Sequence, residues 1–150
     1  MRVSALVICA ILSACAPAPP PVAPVQRDPT AERWYGQTVE DLVAMNRQAE
    51  DFFHKGKGDD AAALIEKGEP LSSKLLSVPQ PTLAATEAAS DLDQLYGQML
   101  LSNKNYGWAR LLFQKNVARW KHWMPQTAET ASRLKQAESA IAECDRRITE

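Results

Sequence analysis

Histidine and cysteine are scarce in this chain, which has His 2 and Cys 3 among 150 residues. Neither His-Glu-x-x-His nor Cys-x-x-Cys spacing occurs, so no metal centre, dithiol chemistry or cofactor is expected. A glycine-rich phosphate loop and a Gly-x-Ser-x-Gly nucleophile elbow are also missing. There is no excess of charge of either sign: Lys+Arg 17 stand against Asp+Glu 18, a formal net charge of −1 with a pI near 6.1. That balance argues against a dedicated nucleic-acid binder. Acidic residues do occur in adjacent pairs, Glu40-Asp41, Glu50-Asp51 and Asp59-Asp60. Neighbours on a helix point about 100° apart, so these are poor acid–base partners. His54, in Phe53-His54-Lys55-Gly56, reads as a solvated residue at a helix C-terminus, where a cation is favoured. His122, between Lys121 and Trp123, reads as water-facing. Nothing here points to an enzyme.

No long apolar run is evident either. The uncharged stretch from Val3 to Leu12 follows Arg2. At 1.5 Å per residue it covers about 15 Å, half a bilayer core. It is the right length for the apolar core of an export signal. The run ends in Leu12-Ser13-Ala14-Cys15, which resembles the lipobox of bacterial lipoproteins. The resemblance implies that residues 1–14 are removed and that Cys15 is diacylated through its sulfur. More than one acyl chain makes such an anchor stable, since each buried CH₂ adds roughly 0.8 kcal/mol. It also implies a place in the cell envelope. Ala16, where the family's retention signal is Asp, implies the outer membrane, facing the periplasm, rather than the inner membrane.

Proline is abundant, but unevenly placed. Of Pro 10 in the chain, six lie close together: Pro17, Pro19, Pro20, Pro21, Pro24 and Pro29. Proline fixes φ and removes a donor, so residues 15–29 favour extended polyproline II. At about 3.1 Å per residue the stretch reaches on the order of 40 Å, a spacer between anchor and domain. A proline-rich ligand for another protein is the alternative.

Residues 30–150 carry helical periodicity and no strand alternation, so an all-α domain of about five helices is expected. Val39, Leu42, Val43, Ala49, Phe52 and Phe53 mark the first helix, with Thr38 and Asp41 as its box-like start. Gly56 and Gly58 end it. Asp59 is the expected cap of a second helix bearing Ala61, Ala62, Leu64 and Ile65. Pro70 should end, kink or restart that helix. Val78-Pro79-Gln80-Pro81 breaks the chain, and Thr82 caps a third helix with Leu92, Leu95, Tyr96, Met99 and Leu100 on its stripe. Asn103-Lys104-Asn105 is a turn. A fourth helix starts near Tyr106, with Ala109, Leu112, Phe113, Val117, Trp120 and Trp123 inward, and Met124-Pro125 breaks it. Thr127 starts the last helix. Its stripe of Leu134, Ala137, Ile141, Cys144 and Ile148 suits packing on a neighbour, or else a short coiled-coil dimer. Cys144, the one cysteine left for the domain, reads as a buried packing residue, with an intermolecular disulfide as the alternative.

Short turns between amphipathic helices make antiparallel hairpins. Two hairpins share a further spacing: Ala49, Phe52, Ala61, Ile65 and Gly68 at offsets 0, 3, 12, 16 and 19, and Gly97, Leu100, Ala109 and Phe113 at 0, 3, 12 and 16. Small residues let helices approach, and a large one fills the space beside them. This pattern resembles the tetratricopeptide repeat. Ser73 and Lys121 stand where that family closes with proline, and the copies lie 48 residues apart. An irregular helical bundle is the alternative. The resemblance implies an adaptor or assembly scaffold for other proteins.

The strongest local signal is another absence. Residues 94–128 contain no Asp or Glu, yet hold Lys104, Arg110, Lys115, Arg119, Lys121 and three of the four Trp. One reading packs this basic helix against neighbours carrying Glu87, Asp91 and Asp93, with its aromatics as core. The other makes Trp108, Lys115, Arg119, Trp120 and Trp123 a basic–aromatic surface for an acidic protein segment, glycan or lipid headgroup.

Overall fold

Residues 28–150 are described by a computed structural model of the chain. The lipobox, Cys15 and most of the proline tether lie outside these residues. Five α-helices follow a 3-10 turn at Pro29–Ala31: α1 (Arg33–His54), α2 (Gly58–Leu76), α3 (Leu83–Ser102), α4 (Tyr106–His122) and α5 (Ala128–Thr149). No strand occurs among the described residues. The domain is all-α, as the periodicity requires. Each helix packs antiparallel on the next, and α3 also lies against α1. The array therefore reads as hairpins α1–α2 and α3–α4, with α5 laid on α4.

Two boundaries differ from the sequence expectation. Thr38 does not start α1, which begins at Arg33, five residues earlier. Thr38 is buried in the helix, and its Oγ1 donates to the Trp34 carbonyl at 2.7 Å. Trp34 and Tyr35 extend the apolar stripe N-terminally, and burial of Tyr35 outweighs the capping preference of Thr38. Asp59 likewise lies in the first turn of α2 rather than at its cap, where Lys57 stands. Its carboxylate still suits the positive helix end. Pro70 neither ends nor restarts α2, which continues to Leu76. Its ring is on the solvent side, and the turns beyond it bury Ser72 and Leu75. That burial offsets a cost of about 3 kcal/mol for an interior proline.

Other boundaries coincide. Thr82 accepts from the Ala85 N–H as N-cap of α3. Thr127 caps α5, and Thr130 completes a reciprocal box with it. Lys104, with φ 62°, makes the left-handed turn between α3 and α4.

The core has two centres. The larger joins α1, α2 and α3 through Tyr35, Leu42, Ala61, Ile65, Leu75 and Leu92, among others. The smaller joins α3, α4 and α5 through Ala109, Phe113 and Cys144, with Leu100 and Ile141 against them. A glycine stands against large side chains in both. A Cβ on Gly68 would stand 3.1 Å from Leu92 and 3.2 Å from Leu42. A Cβ on Gly97 would stand 2.5 Å from the Phe113 ring. The α5 stripe is taken up within the chain: Ala137 and Cys144 are buried, Leu134 and Ile141 are half-buried, and Ile148 is exposed.

Candidate partner-binding surface

The five residues singled out on the basic–aromatic stretch part company in the fold. Trp120 is 1% exposed and faces inward from α4. Its Nε1 donates to Ser90 Oγ at 2.7 Å, and the Arg133 guanidinium lies 5.5 Å from its ring centre. It is core, so it is removed from the surface set. Arg119 is also turned in: it donates to Asp93 at 2.9 Å and to Asn116 Oδ1. Lys115 reaches the other Asp93 oxygen at 3.2 Å, but most of its side chain stays in water. Trp123 is half-buried, edge-on to Trp120 with centroids 6.5 Å apart. Only Trp108 stands clear, at 69% exposed.

The missing acids of this stretch are supplied by its neighbours. Asp93 on α3 is buried and takes both Lys115 and Arg119. Asp145 on α5 takes Arg110 at 2.7 Å. Glu87 and Asp91, expected to face the basic helix, pair instead with Arg133 of α5. Burial works against the Arg133 charge, but the bond to Asp91 and the charges of Glu87 and Glu129 outweigh it. Burial also pushes Glu87 above the usual carboxylate range, against the pull of Arg133.

What remains open on this side is apolar. Tyr96, Leu100, Trp108, Leu111, Leu112 and Lys115 line a groove of about 480 Å³ between α3 and α4. Leu111 is 50% exposed. Sequence reading missed it because it falls off the inward stripe of α4, one residue before Leu112. An apolar residue on the outward face beside Trp108 was the available signal.

A second concavity lies where α1, α3 and α5 share a face. This cleft, about 380 Å³, is lined chiefly by amides and charges, including Asn46, Arg47, Glu50, Gln94, Gln98 and Gln136. Asn46 is 8% exposed. Its Nδ2 donates to the Ala88 carbonyl at 2.8 Å, which fixes the orientation of the amide. Its Oδ1 is buried with no partner. An unmet buried amide oxygen costs about 1–3 kcal/mol. The sequence signal was an asparagine at an inward position between Leu42 and Ala49.

The two histidines lie apart, on α1 and α4. His54 lies 3.7 Å from Glu50, both well exposed on one helix face. His122 is exposed. No group of three His, Cys, Asp or Glu among the described residues is placed to hold a metal ion. No helix among them is long and apolar enough to cross a membrane.

Cys144 is fully buried. Burial pushes its thiol up, and the charges of Asp145 and Glu143 add to this. The thiolate is the reactive form. With Cys9 and Cys15 replaced by serine, Cys144 should therefore resist a disulfide reagent at pH 8 and react fully in denaturant. Rapid native labelling, followed by absorbance, would contradict its burial.

Comparison with known proteins found no matching family, no matching curated protein and no matching solved structure.

Proposed function

We propose that this chain is a lipid-anchored protein of the bacterial envelope whose helical-hairpin domain is a non-enzymatic adaptor for a protein partner. The anchor rests on the lipobox resemblance at Leu12-Ser13-Ala14-Cys15, and Ala16 favours the outer membrane facing the periplasm. The observation that carries the adaptor reading is Trp108, 69% exposed at the rim of an apolar groove with Leu111. A tryptophan left in water beside a groove supplies contact area at little entropic cost, and such residues anchor interfaces. The tetratricopeptide-like spacing supports the same reading. A basic–aromatic surface for glycan or lipid headgroups is the weaker alternative, since Arg119 and Trp120 are occupied inside the fold. An envelope hydrolase is weaker still: His54 and His122 are exposed and lie on different helices.

The test places a photo-cross-linking residue at Trp108 in the membrane-attached chain. Illumination of cells should give one dominant protein adduct. A Cys15→Ser variant should accumulate uncleaved and lose that adduct. Diffuse labelling, or adducts with lipid alone, would overturn the adaptor reading.

A further inference from the structure

We infer that the cleft between α1, α3 and α5 binds an extended polypeptide segment through that segment's main chain. This deepens the adaptor reading and rests on it for the class of partner, but not for the position of the site. The first observation is the Asn46 carboxamide. Its nitrogen is committed to the Ala88 carbonyl, so its oxygen can serve only as an acceptor, and it has no donor. The oxygen is buried on a residue that lines the cleft.

The second observation is the lining. Gln94, Gln98 and Gln136 present carboxamides from α3 and α5. Among the described residues the glutamine side-chain bonds belong to Gln37 and Gln126, so these three are uncommitted. Each offers one acceptor and an N–H donor, the same pair as a peptide unit. Their spacing suits a repeating ligand. Gln94 and Gln98 lie four residues apart on one helix, a rise of about 6 Å. An extended chain turns successive main-chain groups to the same side every two residues, about 6.8 Å.

The third observation concerns the apolar lining. Val43 and Leu95 supply it, and no aromatic ring faces the cleft. A sugar ring is held largely by stacking its C–H face on an aromatic side chain, so the lining favours polypeptide over glycan. Arg47, Glu50 and Asp91 are charged groups of both signs around the same cleft. They do not select a strongly acidic or basic segment.

The test uses the full chain in detergent micelles, with isotope-labelled side-chain amides, and a displayed library of random linear peptides as probe. Enriched peptides should shift the amide resonances of Asn46, Gln94, Gln98 and Gln136. N-methylation of the peptide main chain should weaken binding about tenfold for each essential N–H lost. Asn46→Ala could disturb the fold through its bond to Ala88. Gln98→Ala, at an exposed position, should weaken the peptide while leaving helicity unchanged. Enriched peptides that leave all four amide resonances unmoved, or that are indifferent to N-methylation, would overturn the inference. So would a soluble oligosaccharide of N-acetylglucosamine that shifts the Asn46 amide where peptides do not. A protein adduct at Trp108 without peptide in the cleft removes this site and leaves the adaptor. Peptide in the cleft without an adduct at Trp108 keeps this site and removes the Trp108 groove as the adaptor's contact.

Discussion

Replacing Trp120 by alanine should destabilise the domain by about 3–5 kcal/mol, the range for deleting a large buried aromatic side chain. Three losses combine. The indole is 1% exposed, so its removal leaves a cavity between α3, α4 and α5. Ser90 loses the donor 2.7 Å away. Arg133 loses the ring beneath its guanidinium and is left with its carboxylates alone. A domain of this size holds only about 5–15 kcal/mol in all, so the variant should unfold at a much lower urea concentration. Trp120→Phe keeps most of the volume and drops the bond to Ser90, and should cost about 1–2 kcal/mol. Trp108→Ala should stay within about 0.5 kcal/mol of the parent, as for an exposed site. Far-UV dichroism in urea checks all three. Equal midpoints for the Trp108 and Trp120 variants would put Trp120 on the surface. The contrast also governs binding experiments: lost binding in a Trp120 variant reports unfolding, whereas in a Trp108 variant it reports the groove.

Gly97→Ala should cost about 1–3 kcal/mol although alanine is the better helix former. The added carbon would lie 2.5 Å from one Phe113 ring atom and 2.7 Å from another. Phe113 is fully buried, so its ring has nowhere to swing. The hairpin must open, which parts Phe113 from Ala109 and Cys144 in the smaller core. Gly97→Val enlarges the same clash and should prevent folding. Gly36→Ala is the control, with nothing within 4 Å of its Cβ position. There the gain in helix propensity should stand alone, raising stability by about 0.5–1 kcal/mol. Urea midpoints measure both signs. A Gly97→Ala chain as stable as the parent would mean that α3 and α4 do not touch at this point.

These effects show which features the sequence could carry. Gly97 and Phe113 were legible as a pair because helix geometry ties a fixed offset to a crossing of two helices. Thr82 and Thr127 were legible as caps because the capping bond is local. Thr38 misled for the same reason: its local preference was overruled by Tyr35, whose pocket is made by residues forty and more positions away, including Leu75. Pro70 is a similar case, since the burial that carries α2 past it comes from other helices. The candidate site was legible only in part. Trp108 and Trp120 belong to the same stretch, and both look like anchors in the linear chain. One faces Ser90 and the other faces water, a difference set by rotation about the α4 axis. The cleft beside Asn46 needed α1, α3 and α5 together, and no single segment announces it.

Five antiparallel helices are an odd number, which gives the array a polarity. Asp28 and the start of α1 sit at one end, with the α2–α3 and α4–α5 connections. Thr149 sits at the other, with the Lys104 turn and the first turns of α2 and α4. A helix of 22 residues, the length of α1 and of α5, separates the two ends by about 33 Å. If Cys15 holds the chain to a membrane, Trp108 near the start of α4 belongs to the far end of the array. A partner seated on Trp108 would engage the array toward the end opposite the one at which the tether joins the domain.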